Sequence, residues 1–378
     1  MIKESATPFV FSSAPLLSVV VPCFNEVDNV EELIRRLGES LHGIHWEVIF
    51  VDDDSPDKTS RRVAETAFRD PRVRLIHRIG RRGLSSACVE GMLSSSAPYL
   101  AVMDADLQHD ETLLPDMLMA LRSQQLDIVV GSRYVDGGGI GGWDAKRAAY
   151  SRFATRISRY FTRTELTDPM SGFFMLRRDA LMGRVRNLSG VGFKILLDLF
   201  ASSSIPMRFL ELPYTFKERH AGESKLDNRA LLEFGMLLLD KWIGRLIPVR
   251  FVAFTLVGGI GVLVHFLILL VVFRVIDAPF VYGQTAATLV AMTTNYLMNN
   301  FFTYSDVQLR GWKLLTGWIS FVFVCGLGAV ANVGIASLLF QRQTNWMLSA
   351  LAGIGVSSVW NYAVTAVYTW RSPSIGTK

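Results

Sequence analysis

Short branched apolar runs alternate with amphipathic stretches along the first half of the chain. "LLSVVVPCF" (16–24) is an apolar run that stops at a proline, the pattern of a buried strand. "VDNVEELIRRLGESL" (27–41) follows, with Val30, Leu33, Ile34 and Leu37 at helical spacing. The alternation continues: strand "WEVIFVDDDS", helix "DKTSRRVAETAF", strand "VRLIHR", helix "LSSACVEGMLSSS", strand "YLAVMDAD", helix "ETLLPDMLMALRSQ", strand "DIVVGSRY". Strands that alternate with helices predict a mostly parallel sheet covered on both faces. The ligand site of such a sheet lies beyond the carboxyl ends of its strands. The polar clusters "CFNE", "DDDSPD", "DADLQH" and "GSRY" fall at those ends.

The pattern changes after Arg219. "NRALLEFGMLLLDKWIGRLIP" (228–248) sets Leu231, Leu232, Phe234, Leu238 and Leu239 among scattered charges, which suits a helix lying along a membrane surface. Four long apolar segments follow, at 251–273, 280–302, 315–340 and 346–369. Each reaches the ~20 residues that cross a bilayer as a helix. They read as two copies of one helix pair, because Asn295-Tyr296 and Thr303-Tyr304 match Asn361-Tyr362 and Thr369-Trp370 at one offset. Lys241, Arg245 and Arg250 precede the first segment, Arg310 and Lys313 lie between the second and third, and Arg371 and Lys378 follow the fourth. The other two loops hold only Arg274 and Arg342, so the positive-inside rule puts both termini in the cytoplasm. The N-terminal stretch lacks the apolar core of a signal peptide, in keeping with a first domain inside the cell. The expected organisation is a catalytic domain at 1–228, an interfacial helix at 229–248 and a four-helix membrane domain at 249–378.

Composition adds little to this. The formal net charge of +5 fits an anionic membrane surface or a phosphorylated substrate. The basic tail and aromatic–basic alternation of a nucleic-acid binder are missing from the sequence, so no nucleic-acid partner is expected. Cys23, Cys88 and Cys325 follow no metal spacing and read as reduced thiols.

The chemistry concentrates in Asp104, Asp106 and Gln108. At a strand end these oxygens can wrap one hard cation, magnesium or manganese, which commonly joins carboxylates to substrate phosphates. An acidic surface loop is the plain alternative. "DDDSPD" has a second reading as an Asx turn ahead of a helix, and Glu26 as an acid complementing a helix dipole. His109, next to the acids, reads as an outer-shell or surface residue rather than a ligand. "GGGIGGWD" (137–144) lacks the spacing of a dinucleotide fingerprint and reads as a mobile loop. Lys194 reads as a snorkelling lysine.

Taken in order, "VVVPCFNEVDNV", "VDDDSPDKT", "DADLQH", "GSRY" and "RHAGESKL" resemble a family 2 glycosyltransferase, and among these the polyprenyl-phosphate sugar synthases typified by dolichol-phosphate mannose synthase. The apolar segments resemble the GtrA-like membrane domain fused to some of them, so the resemblance spans residues 16–371. It implies a Rossmann-like α/β GT-A catalytic domain with a mostly parallel sheet, joined to an all-α membrane domain. It also implies roles. Pro22, Phe24, Glu26, Val51, Asp53, Asp54 and Asp104 map onto the nucleotide-sugar pocket, with Phe24 standing where many relatives have tyrosine. Asp104, Asp106 and Gln108 map onto the binding set for Mg2+ or Mn2+, with Asp106 also counted as catalytic. Arg133, Arg147 and Ser151 map onto the face toward the acceptor phosphate, and Arg219 and Lys225 onto the phosphates as the site closes. Asp168, in "TDPMSGFFMLRRD", either bonds sugar hydroxyls or caps a turn before Pro169. The implied reaction is inverting transfer of one sugar, mannose from GDP-mannose first and glucose from UDP-glucose second, to polyprenyl or dolichyl monophosphate at the membrane. A processive polysaccharide synthase would carry a Gln-x-x-Arg-Trp motif that this sequence lacks. A lipid-linked sugar carrier or flippase is the reading from outside enzymology.

Overall fold

The computed structural model describes residues 14–139, 164–189, 194–202, 205–217, 235, 248–304, 307–342 and 346–370. The chain divides into two compact units, Met1–Lys241 and Trp242–Lys378. The interfacial helix expected at 229–248 falls almost wholly outside the described residues.

The first unit is built on seven strands: β1 (Leu17–Cys23), β2 (Trp46–Asp52), β3 (Val73–His77), β4 (Tyr99–Val102), β5 (Ile128–Ser132), β6 (Phe174–Arg177) and β7 (Phe209–Pro213), in the spatial order β3-β2-β1-β4-β6-β5-β7. Helices α1 (Val30–Ser40), α2 (Thr59–Ala67), α3 (Leu84–Ser94) and α4 (Leu114–Ser123) connect the early strands, with short helices α5 (Arg178–Met182) and α6 (Ile195–Ala201) after β6. Every residue of β1, β2 and β5 is buried, as expected of strands covered on both faces. Alternate side chains feed two cores. Leu17, Val19 and Val21 join Leu33 and Leu37 of α1 and Met117 and Leu121 of α4. Val20 points the other way, to Ala87, Cys88 and Met92 of α3. The small residues of α3 have a packing reason. A Cβ on Gly91 would come within 2.9 Å of a Val51 methyl and closer still to Val20, so the helix rests directly on β1 and β2.

The sheet is parallel except for β6, which runs antiparallel between β4 and β5. The sequence pattern does not reveal this strand, nor β7. The insertion matters to function, because it brings the segment preceding β6 to the same edge as the carboxyl ends of β1, β2, β4 and β5. The glycine-rich stretch also begins in regular structure. Gly139 N–H donates to Tyr214 O and Gly139 O accepts from Phe216 N–H, in a short parallel bridge with Thr215, while residues 140–144 lie outside the described residues.

The second unit contains α7 (Val249–Leu270), α8 (Phe280–Met298), α9 (Trp312–Gln341) and α10 (Trp346–Tyr368), close to the four expected segments. Among the described residues, two helices, Val249–Val275 and Trp312–Leu339, are long and apolar enough to cross a membrane. α7 packs on α8 and α9 on α10. The repeat suspected from the sequence extends to contacts and backbone. Asn295 of α8 lies where a Cβ on Gly261 of α7 would sit, and Asn361 of α10 lies likewise against Gly328 of α9. Both helix pairs end in a widened turn, with Tyr304 N–H donating to Asn299 O and Trp370 N–H to Thr365 O. The copies also touch reciprocally. Tyr296 meets Phe321 at 5.6 Å, and Tyr362 meets Phe254 at 5.8 Å. Equivalent residues Tyr304 and Trp370 stack on each other at 4.1 Å and 7°. The two pairs thus meet through equivalent residues.

Gly261 and Gly258 lie on the same helix but face different surroundings: a Cβ at Gly258 meets nothing within 4 Å. Gly261→Val is expected to destabilise the second unit by about 1–3 kcal/mol through overpacking against Asn295. Gly258→Val should leave stability almost unchanged, and thermal unfolding of the two detergent-solubilised variants checks the contrast.

Candidate active site

The loops after β1 and β2 are sewn together before any ligand is considered. Fully buried Asp52 accepts from Ser55 N–H and its hydroxyl, while Asp57 accepts from Thr59 N–H and its hydroxyl ahead of α2. The turn reading of "DDDSPD" thus holds for Asp52 and Asp57. Asp53 does something else. Its carboxylate takes one bond from Arg78 at 2.5 Å and one from Gly83 N–H at 2.7 Å. Arg78 is itself buried and also bonds Gly83 O and Ser86. Burial pushes the Asp53 pKa up, and the Gly83 and Arg78 contacts only partly offset it. Asp54, in the left-handed region at φ 58, faces His77 Nε2 at 3.2 Å and Gly80 N–H at 3.3 Å.

Pro22 and Val51 are buried strand residues at this end of the sheet. Half-buried Phe24 follows β1, with the Arg82 guanidinium 4.3 Å above its ring. Glu26 accepts from the Asn29 side chain at 2.7 Å. It lies before α1, whose first-turn acids are Glu31 and Glu32, so the helix-dipole reading belongs to those two residues.

β4 ends at Val102, and the chain turns through Asp104–His109 with Leu107 left-handed at φ 62. Asp106 and Gln108 are buried, and Asp104 is about a third exposed (36%). Asp106 accepts from Gln108 N–H at 3.2 Å. Gln108 is fastened to the stretch beyond β7 twice: its Nε2 donates to Lys217 O at 2.9 Å, and its O accepts from Lys217 N–H at 3.0 Å. Fixing the amide nitrogen this way leaves Oε1 as the atom suited to a cation. His109 is not at the surface. It is 2% exposed, its Nδ1 accepts from Asp104 N–H at 3.0 Å, and burial lowers its pKa despite nearby Asp104. Among the described residues, no three His, Cys, Asp and Glu side chains gather as a metal cage. Two carboxylates and an amide oxygen instead suit a cation that completes its shell with substrate phosphate and water.

Arg133 follows β5 and is 8% exposed. Its Nε and Nη2 each donate to Asp168 at 2.8 Å, and its backbone N–H donates to the same carboxylate at 3.2 Å. Asp168 is fully buried, and both oxygens of its carboxylate are engaged by Arg133. Burial opposes the charge on Arg133, but the hydrogen bonds and charge of Asp168 outweigh it and hold the pKa above the ordinary value. Lys194 donates to Met170 O at 3.1 Å and sits just before α6, so the snorkelling reading gives way to a clamp on this segment.

The segment 167–173 joins these parts. Asp168 grips Arg133, Ser171 donates to Gly131 O, a Cβ on Gly172 would lie 3.2 Å from Asp104 Oδ2, and Phe173 stacks on His109. Tyr214 and Phe216 add their edges to His109, and Phe216 also lies 5.6 Å from the Arg133 guanidinium. This ring cluster and Arg78 were missed from sequence, because neither belongs to a local spacing pattern. Arg147, Ser151, Arg219 and Lys225 lie outside the described residues.

The sequence matches Glycosyl transferase family 2 over residues 18–184 and the GtrA/DPMS transmembrane domain over residues 253–370. A dolichol-phosphate mannosyltransferase of Pyrococcus furiosus is 33% identical over 362 residues, covering 94% of this chain and 99% of the relative. One from Saccharomyces cerevisiae is 35% identical over 236 residues, covering 60% of this chain and 86% of the relative. Glucosyl-3-phosphoglycerate synthase from Mycobacterium tuberculosis, solved with Mn2+, UDP and product, shares 17% identity, with a TM-score of 0.46 over 60% of this chain and 80% of that one. With the family 2 match over 18–184, the mixed seven-stranded sheet is the catalytic GT-A fold, and the GtrA/DPMS match makes the chain a membrane protein. It belongs to the family 2 glycosyltransferases that carry a GtrA/DPMS transmembrane domain, the family of the dolichol-phosphate mannosyltransferases.

Proposed function

We propose that the chain transfers one mannosyl group from GDP-mannose to a polyprenyl or dolichyl monophosphate, inverting the anomeric carbon to give a β-linked lipid-phosphate sugar. The relatives' names support the general class of reaction, a polyprenyl-phosphate sugar transfer. Mannose as the sugar rests on the same names. One observation carries the site assignment: the segment 167–173 lays Gly172 against Asp104 while Asp168 grips Arg133, so the acidic loop and a buried guanidinium share one sheet edge.

The acceptor is largely ionised at neutral pH, its second pKa being around 6. An oxygen of that phosphate attacks C1 and forms the new C–O bond. The C1–O bond to the diphosphate breaks, and its electron pair leaves with GDP. No strong general base is required. Asp104, Asp106 and Gln108 would hold Mg2+ or Mn2+, which neutralises the departing diphosphate when bound. Asp53, held by Arg78 and Gly83, presents its remaining lone pairs to the nucleotide, and Phe24 gives the nucleotide an aromatic wall. Arg133 orients the acceptor phosphate, with Arg147, Ser151, Arg219 and Lys225 assigned to the phosphates on resemblance. The loop charges support four spans with both termini and residues 1–228 on the cytoplasmic side, followed by the interfacial helix at 229–248 and the membrane domain at 249–378.

The test incubates membranes holding the protein with polyprenyl phosphate, a divalent cation and radiolabelled GDP-mannose or UDP-glucose in parallel, then counts the extracted lipid. Label from GDP-mannose alone is expected, and label from UDP-glucose alone sinks the mannose assignment. Asp104→Asn should abolish transfer while leaving membrane insertion intact; full activity in that variant contradicts the cation reading. Arg133→Lys keeps a charge but loses the two-point grip on Asp168. Its kcat/KM for the lipid phosphate is expected to fall about a hundredfold, roughly 2.7 kcal/mol of transition-state stabilisation, with KM for the nucleotide sugar little changed.

A further inference from the structure

Five residues after Asp104 the chain places a histidine whose surroundings fix its ring from every side. The ring is 2% exposed. Phe173 stacks on one face at 5.2 Å and 11°, while Tyr214 and Phe216 approach edge-on at 5.8 Å and 5.7 Å. The polar contact is as specific. Asp104 lies just past β4, where the sheet ladder has stopped; the last sheet-directed bond is Met103 N–H to Val20 O. The Asp104 N–H turns inward instead and donates to His109 Nδ1 at 3.0 Å. A nitrogen that accepts a hydrogen bond carries no proton, so the ring proton sits on Nε2. That atom faces Asp104 Oδ2 at 3.8 Å, too far for a hydrogen bond but favourable in sign. The imidazole thus closes the loop 104–109 into a ring, with Asp104, Asp106 and Gln108 all inside it.

We propose that His109 is a positioning residue: its Nδ1 holds the Asp104 peptide so that Asp104, Asp106 and Gln108 are arranged for a divalent cation before that cation arrives. This rests on the cation reading given above. His109 touches neither the cation nor the substrates in this role. Groups hydrogen-bonded behind ligands commonly change metal affinity by about 10–100-fold when removed, and His109 acts here through the ligand's own backbone. The aromatic cluster supplies the rigidity, and Nδ1 supplies the direction.

Three substitutions separate direction from packing. In His109→Asn the side-chain oxygen takes the place of Nδ1, whereas in His109→Gln the polar end reaches only the place of Nε2. His109→Phe retains the stack on Phe173 and removes the acceptor. The full-length protein in detergent is titrated with Mn2+. Bound Mn2+ is read by electron paramagnetic resonance, transferase activity is followed in parallel, and thermal unfolding is measured without metal. The expected result is a Mn2+ dissociation constant raised about tenfold or more in Gln and Phe variants and near wild type in the Asn variant, with metal-free melting temperatures of Asn and Gln variants alike. Should the Phe variant fail to fold, the Asn–Gln contrast decides alone. Wild type that binds Mn2+ while Asn and Gln variants match each other overturns the role of His109 and leaves the cation site standing. Wild type that neither binds Mn2+ nor loses activity in chelator overturns the cation reading itself, and this proposal with it.

Discussion

The arrangement of the catalytic edge depends on one buried ion pair. Arg133 follows β5 and Asp168 lies in the segment leading into β6, two positions 35 residues apart whose side chains meet buried from solvent. A guanidinium and a carboxylate so deeply buried are costly unless their geometry is good and other groups share the load. Here the Arg133 backbone N–H supplies a third bond to the carboxylate, and Glu211 takes the N–H groups of Thr167 and Asp168. With that point fixed, the rest of the segment has little freedom. Ser171 binds Gly131 O, Gly172 passes so close that a Cβ would lie 3.2 Å from Asp104 Oδ2, and Phe173 stacks on His109.

The parts legible in the sequence were those written locally. The strand ends at "CFNE", "DADLQH" and "GSRY" were readable because each couples a buried run to a polar stop within a few residues, and the sheet brings them to one edge. What could not be read were partnerships across distance. Asp53 is visible as an acid at a strand end, but its partner Arg78 sits after β3 and carries no signal of its own. Asp168 could be read as a sugar-binding residue or a turn cap, and its pairing with Arg133 had no local signal. β6 is four residues long and follows a loop-like "DPMSG", so no periodicity marks it. His109 looked like a surface residue because the rings that bury it, Phe173, Tyr214 and Phe216, come from segments more than 60 residues away.

The helical unit shows the same limit from the other side. Matching asparagines and tyrosines exposed the repeat, because identity at a fixed offset needs no structure to be seen. The reason those residues recur lies in their partners. Gly261 and Gly328 leave room for the two asparagines, and Phe254 and Phe321 receive the tyrosines of the opposite copy. With no water to drive helices together, such a unit relies on close packing and polar contacts between helices. The widened turn at the end of each pair, and the stack of Tyr304 on Trp370, show that both copies use one solution.

If Arg133 meets the acceptor phosphate as proposed, its pairing with Asp168 also divides the labour of binding that anion. Arg133 cannot add much net positive potential, because Asp168 cancels its charge within one hydrogen bond. What it offers an anion is direction: donors held in a fixed plane by a partner that cannot move. A lipid phosphate and a nucleotide diphosphate brought together carry several negative charges, and neutralising them requires further cations. In this reading that requirement falls on the dication of the acidic loop and on the basic side chains of "AKR" and "RHAGESK". On the proposed function, the buried pair would set where the acceptor oxygen points, while the cation and those basic side chains would set whether two anions can share the cleft at all.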